Sequence, residues 1–340
     1  MRKGKNIHRD TKITKSNIKH RVVFPVFIPY EKAYYAEAFA IFKTALLSVH
    51  KTASFPIVVS VISNGSSKTV NDKLYGLYKE GYINELIIET DCLGKINSLL
   101  KVLRTIQEPM VTVADADVLF LNGWDHEVFK LFKAFPKAGA VSPVPVFRKH
   151  FELTANIWLR YLFSDKLKFT AVQDPEAMTK FANSIGWPWL DKKFKDVYAT
   201  LKTKNGTMAM VGGTHFVATY KSEVFKYLPK ENSNYYQGGD SERLYTDQPV
   251  VKAGGFRLST AKNYAYHMGN VYEDWMQETF EALKPSDKEN HLPTFAKLKP
   301  PVFNPLLLEL LFKKLLRFPQ FKYWVLRKKG LSKEQLKNFL

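Results

Sequence analysis

A single cysteine, Cys92, stands among 340 residues, so no internal disulfide framework holds this chain, and no Cys/His cluster has zinc-site spacing. A reducing compartment is expected. No apolar run approaches the roughly 18 residues that cross a bilayer, and no apolar leader opens the sequence. The expectation is a cytoplasmic protein, soluble or peripheral on the inner face of the cytoplasmic membrane. Acidic residues are scarce: 32 against 51 basic ones leave a formal charge of +19, which calls for an anionic partner such as nucleic acid, acidic lipid or a phosphorylated substrate. Core material is plentiful. Hydrophobic and aromatic fractions of 45% and 14% exclude wholesale disorder, and the length allows a large α/β domain, alone or with an appendage.

Residues 1–21 read as a basic flexible arm. Strand-like runs follow at 22–29 (VVFPVFIP), 56–62 and 85–89, alternating with helical periodicity over 34–50, 69–80 and 95–107, with Gly81 as a helix stop. Such alternation implies parallel βαβ units. In an open sheet of that kind, ligands bind beyond the carboxyl ends of the strands. Pro29-Tyr30, the turn-rich run 63–67, residues 91–95 and residues 115–117 all fall at such ends, which predicts one crevice.

The run 110–122, MVTVADADVLFLN, reads as a buried strand that delivers Asp115 and Asp117 at its end. Residues two apart on a strand share a face, so both carboxylates are placed to share a hard divalent cation, Mg²⁺ or Mn²⁺. The plainer alternative is a solvated turn after a strand.

The order Ile28-Pro29-Tyr30, then Ser63-Asn64-Gly65-Ser66-Ser67, then Gly94-Lys95, then Asp115-Ala116-Asp117 resembles the nucleotide-sugar half of GT-A fold glycosyltransferases, most closely the inverting family-2 type. The resemblance extends more loosely through Met210 to Tyr220, Gly238 to Asp247, Gly254 to Leu258 and Tyr264 to Asn270, covering roughly residues 22–270. It implies a mixed α/β sheet flanked by helices and a nucleotide-diphosphate sugar donor, UDP-linked. Pro29, Tyr30, Ser63, Asn64, Asp91, Lys95, Asp115 and Asp117 would then lie against the donor. Asp117 and His267 would be metal ligands. There are departures: Ser63 and Asp91 replace an acidic residue and an asparagine frequent in the family, and the Glu-Asp signature is absent as such.

Transfer from such a donor needs positive charge at the departing diphosphate, which Lys95 or Arg257 would add to the metal's, and a base for the acceptor hydroxyl. Asp247 is the first candidate base, because Pro249 suits the first turn of a helix that Thr246 or Asp247 would cap. Asp240, beside Gly238-Gly239, is the rival, and Glu242 a third. Trp187 and Trp189 are candidate acceptor walls, with Gly213 nearby in the matching strand, whereas Trp158 reads as core.

Residues 22–125 and 126–275 are taken as donor and acceptor halves of one domain, and 276–340 as a C-terminal amphipathic helical extension. In 305–318 the leucines and phenylalanines leave Glu309, Lys313, Lys314 and Arg317 on one narrow face, which suits an anionic membrane surface or packing on the domain. The expected activity is transfer of a sugar to a glycan or lipid-linked acceptor, with no specific nucleic-acid partner. Its rivals are a nucleotidyltransferase that makes nucleotide sugars and a non-enzymatic polyanion or membrane binder. The first should carry a glycine-rich phosphate loop near the N-terminus, and residues 22–35 hold none.

Overall fold

Alternation along one strand divides the core. In β1 (His20–Val26), Val22, Phe24 and Val26 face the helices Ala38–Thr52 and Lys68–Lys79, while Val23 faces the helix Lys95–Leu103 on the other side of the sheet. The computed structural model describes residues 3–12, 17–187 and 189–340. Parts of the expected arm, and Pro188, lie outside the described residues.

The remaining strands are β2 (Ile57–Asn64), β3 (Glu85–Glu89), β4 (Met110–Ala114), β5 (Val118–Phe120), β6 (Ala138–Ser142), β7 (Leu167–Ala171), β8 (Val197–Lys202), β9 (Met208–Val211), β10 (Val217–Lys221), β11 (Phe256–Thr260) and β12 (Ala265–His267). Ten form one sheet in the order β3-β2-β1-β4-β10-β6-β11-β9-β8-β7, and β12 pairs with β5 in a second, two-stranded sheet. The first four are parallel, β10 lies antiparallel between β4 and β6, and β11 is parallel to β6. The sheet is mixed and flanked by helices. That is the α/β architecture expected.

Several boundaries differ from the sequence reading. The first strand starts at His20, inside the expected arm, because Arg21 is held by Glu108 and Glu85, each at 2.7 Å. Pro25 lies within it, at a position that pairs with β2 alone, so its missing N–H removes no bond to β4. The run 110–122 is not one strand. It turns at 115–117, where Asp115 N–H donates to the Phe216 carbonyl, and β5 then leaves the main sheet. The run 210–220 also breaks, since Gly212 has φ +105° and a Cβ there would lie 2.5 Å from the Lys149 carbonyl oxygen.

The expected cap at residues 246–247 is instead helix interior. A π-turn, Arg243–Asp247, runs directly into the helix Gln248–Lys252. The wider turn accommodates Pro249, which has no N–H to give an α-helical ladder.

The C-terminal part is packed, not free. Residues 283–304 run without helix or strand, with Ser286 N–H on the Lys51 carbonyl and Glu289 N–H on that of Ser54. Three helices follow, Pro305–Leu316, Pro319–Lys328 and Lys333–Phe339, burying Phe312, Val325, Leu326, Leu331 and Leu336 in the domain core. The Phe169 N–H of β7 donates to the Lys329 carbonyl, which partly covers that edge of the sheet.

Candidate active site

The crevice forms where the parallel strands end. A cavity of about 280 Å³ is lined by residues 25–28, Tyr34, Tyr35, Asn64, Cys92, Lys95, Asp115–Asp117, Tyr236, Gln237, Gly269 and Asn270. Its loops are drawn close by glycines in left-handed conformations. A Cβ on Gly65 (φ +72°) would lie 2.6 Å from Cys92 N, and one on Gly94 (φ +89°) would lie 2.8 Å from the Tyr235 carbonyl oxygen. The Lys95 N–H donates to the Tyr236 carbonyl and Asn97 exchanges bonds with Ser233, so residues 233–237 are strapped over the start of the helix Lys95–Leu103.

The two aspartates meet different partners. Asp115 Oδ1 lies 2.6 Å from Lys95 Nζ, which is also 3.8 Å from Glu242. Asp117 Oδ2 lies 3.3 Å from His267 Nε2, while His267 Nδ1 is 3.0 Å from Ser184 Oγ. The small sheet explains that meeting: β12 pairs His267 with Val118, and the Met268 N–H donates to the Asp117 carbonyl. Asp117 Oδ1 is buried without a hydrogen-bond partner among the described residues. Burial first and Asp115 second push the Asp117 carboxyl upward, with His267 and Lys95 pulling against them. For Lys95, burial lowers the pKa, but Asp115, Glu242 and Asp117 outweigh it and the net shift is upward. A buried, orphaned carboxylate oxygen beside an imidazole is a donor set that fits a divalent cation.

The other expected donor residues are placed less directly. Asn64 is buried in the wall and accepts from Leu93 N–H at 2.7 Å. Ser63 is turned away, its hydroxyl donating to Asn71 Oδ1. Asp91 is exposed, and Cys92 takes its place in the lining. Pro29 and Tyr30 stand beside the cavity, Tyr30 edge-on to the lining Tyr35 at 5.3 Å.

A second cavity of about 440 Å³ adjoins the first and shares Lys95, Asp115 and Gln237 with it. Phe147, Arg148, Glu152, Trp187, His215, Glu242 and His267 are among its lining. Trp187 stacks on Phe147 at 5.7 Å, with the Arg148 guanidinium 4.6 Å over its ring. Trp189 is 79% exposed and outside the lining. Gly213 is buried behind the wall, its carbonyl accepting from Arg257. Trp158 is core, as expected, with its indole N–H donating to the His150 carbonyl.

Two of the three expected bases, Asp247 and Asp240, line neither cavity. Asp247 is sealed in, with Oδ1 2.8 Å from Arg257 Nη2 and Oδ2 3.0 Å from His215 Nδ1. Burial alone would raise its pKa, but Arg257 and then His215 outweigh that and hold it below the usual range. Asp240 has φ +63°, is bridged to Arg243 at 2.6 Å and lines neither cavity. Glu242 is the one of the three acids in the lining. Arg257 is also corrected: buried and bonded to the Glu152 and Gly213 carbonyls, it cannot reach a diphosphate.

Sequence reasoning missed His215, though its Gly-Gly-Thr-His-Phe setting marked a loop. Glu152, His215 and Asp247 each offer a ligand atom within 4.8 Å of the others, a group that could hold a metal ion. Lys149, 2.7 Å from Glu152, and Arg257 already neutralise its two carboxylates. An added dication would meet repulsion there.

No protein-family model and no curated protein sequence matches this chain. Solved structures do match. A fragment of TarS from S. aureus is 13% identical over 74% of this chain and 60% of its own, with a TM-score of 0.42. The mannosyltransferase PcManGT from Pyrobaculum calidifontis, in complex with GDP-Man and Mn²⁺, is 15% identical over 95% of this chain and 79% of its own, with a TM-score of 0.44. GalNAc-T7, with UDP, GalNAc and Mn²⁺, is 11% identical over 76% of this chain and 45% of its own, with a TM-score of 0.44.

Proposed function

We propose that the chain is a metal-dependent GT-A glycosyltransferase that moves a sugar from a UDP-linked donor to a glycan or lipid-linked acceptor, with inversion. One observation carries the reading: two adjoining cavities meet at Asp115 and Lys95, the first lined by Asp117 and the second by its imidazole partner His267 and an aromatic wall. That is a donor pocket opening onto a sugar-binding pocket, with charge at the junction.

Asp117 and His267 would hold the cation. When bound, Mn²⁺ or Mg²⁺ supplies Lewis-acid charge at the leaving diphosphate. Lys95, buried and kept protonated by its carboxylate neighbours, holds Asp115 in place at the junction of the two cavities. The acceptor rests against Trp187 and Phe147, its hydroxyl aimed at the anomeric carbon. As the new C–O bond forms, the bond from carbon to diphosphate oxygen breaks.

His215 takes the acceptor proton on Nε2. Its Nδ1 lies 3.0 Å from Asp247 Oδ2, a contact that orients the ring, while Arg257 fixes Asp247. Asp247 is therefore a positioning residue in this reaction.

Calorimetric titration of UDP, GDP, CDP and dTDP with and without Mn²⁺ tests the donor site. Metal-dependent binding of UDP is expected in the wild type and loss of its metal dependence in Asp117→Asn. Binding of a nucleoside triphosphate with release of pyrophosphate on adding a sugar phosphate would mean a nucleotidyltransferase instead. Salt-sensitive binding indifferent to Asp117 would mean a polyanion binder.

A further inference from the structure

The helix Pro305–Leu316 buries its one acidic side chain and leaves several of its leucines exposed. Glu309, on what the sequence presents as the polar face, is buried and accepts the backbone N–H groups of Leu153 and Ala155 at 2.7 and 3.0 Å. Phe312 packs beside it against Phe151 and Trp158. With Glu309 and Phe312 inward, Leu307, Leu310 and Leu311 are left about half exposed. Phe303 and Phe318, at 75% and 60% exposure, extend the apolar strip at either end. Exposed apolar area on this scale marks a docking surface.

Charge identifies what docks. Residues 297–340 hold eleven Lys and Arg against two Glu, and one of those two is the buried Glu309. Lys314 and Arg317 stand exposed on the same helix as the leucines. Trp324 and Phe163, both exposed, lie 6.1 Å apart with Lys328 within 5.5 Å of each ring. Leucines flanked by basic residues and an indole suit the boundary between headgroups and acyl chains of an anionic bilayer. No helix among the described residues is long and apolar enough to cross a membrane. The element would lie on the surface.

We propose that the face formed by Phe303, Leu307, Leu310, Leu311, Phe318 and Trp324 docks the protein on an anionic lipid surface. The contact bears on the acceptor side of the proposed transferase, because Glu309 grips Leu153 and the adjacent Glu152 lines the second cavity. Membrane docking itself does not depend on that activity.

Cosedimentation of the full chain with vesicles of 70% phosphatidylcholine and 30% phosphatidylglycerol tests it. Binding is expected in 100 mM salt, weakening several-fold in 500 mM salt and on pure phosphatidylcholine. The exposed-site variant Leu310→Ser/Leu311→Ser should lose at least tenfold in vesicle affinity, and Lys314→Ala/Arg317→Ala should lose the lipid selectivity, both with unchanged circular dichroism. No sedimentation with either vesicle overturns the proposal. So does a concentration-dependent dimer in the wild type that the serine variant abolishes, which would make a second copy the occupant. UDP titration of the serine variant reads the donor site separately.

Discussion

The buried pair between Asp247 and Arg257 makes the sharpest energetic prediction. Both side chains are about 2% exposed, and the guanidinium keeps two backbone carbonyls, those of Glu152 and Gly213, as its other partners. In Asp247→Ala those neutral bonds remain, but a full positive charge is left buried without its counter-charge. Removing one member of such a pair costs about 3–5 kcal/mol. Arg257→Met should cost about the lower end of that range, since His215 stays beside the carboxylate. The double variant Asp247→Leu/Arg257→Met removes both charges together, so its cost should fall short of the sum of the singles by about 3 kcal/mol. Urea unfolding at pH 7, followed by the fluorescence of the six tryptophans, reads these differences. At a slope of about 3 kcal/mol per molar urea, each single variant should move the midpoint down by about 1 M or more. Strict additivity of the two singles would refute the idea that the charges sustain each other.

Acid should destabilise the fold already above the ordinary carboxylate range. Burial lowers His20 to about 3 and His150 to about 4, so below the unfolded value of 6.5 the unfolded chain takes up protons that the folded one refuses. Stability is then lost as pH falls from about 6.5 towards 4, by about 2 kcal/mol per histidine at pH 5. A urea midpoint that stays level from pH 7 to pH 5 would contradict this. The low-shifted Asp247 gives its contribution above the ordinary carboxylate range and surrenders it only in stronger acid, outside that window. Trp187→Ala should raise the acceptor KM about tenfold while leaving UDP binding by calorimetry unchanged; equal loss in both would move the tryptophan out of the acceptor wall.

What sequence could disclose depended on whether a signal was local. The alternation of apolar strands and periodic helices located β2, β3 and the helices of the first hundred residues within a few positions, since each carries its own pattern. Asp115 and Asp117 could be singled out for a similar reason: charges inside an apolar run need explaining. Their geometry was a different matter, because β5 leaves the sheet to pair with β12, about 145 residues later. The fate of Asp247 was illegible for that reason too. A carboxylate near a flexible glycine loop and a carboxylate buried against Arg257 read alike in sequence, and only packing between β9, β10 and β11 tells them apart. The C-terminal helix had its amphipathic pattern in plain view, yet the pattern did not disclose which of its residues pack inward. Two backbone N–H groups at residues 153 and 155 claim Glu309 and turn that carboxylate inward, while Lys314 and Arg317 stay exposed.

The place of β10 in the sheet governs how the chain must fold. When residues up to about 125 have left the ribosome, β4 has β1 on one side and nothing on the other; its partner on that flank, β10, lies about 105 residues further on. Until then the apolar strand that leads into the site's aspartates is an open edge, able to pair with any other strand. Residues 22–125 cannot complete their sheet by themselves. Closure couples residue 114 to residue 217 and residue 140 to residue 220 in one step, so the two halves gain their structure together. Long-range closure of this kind slows folding, and it places the hazard of misassembly in the interval before β10 is made.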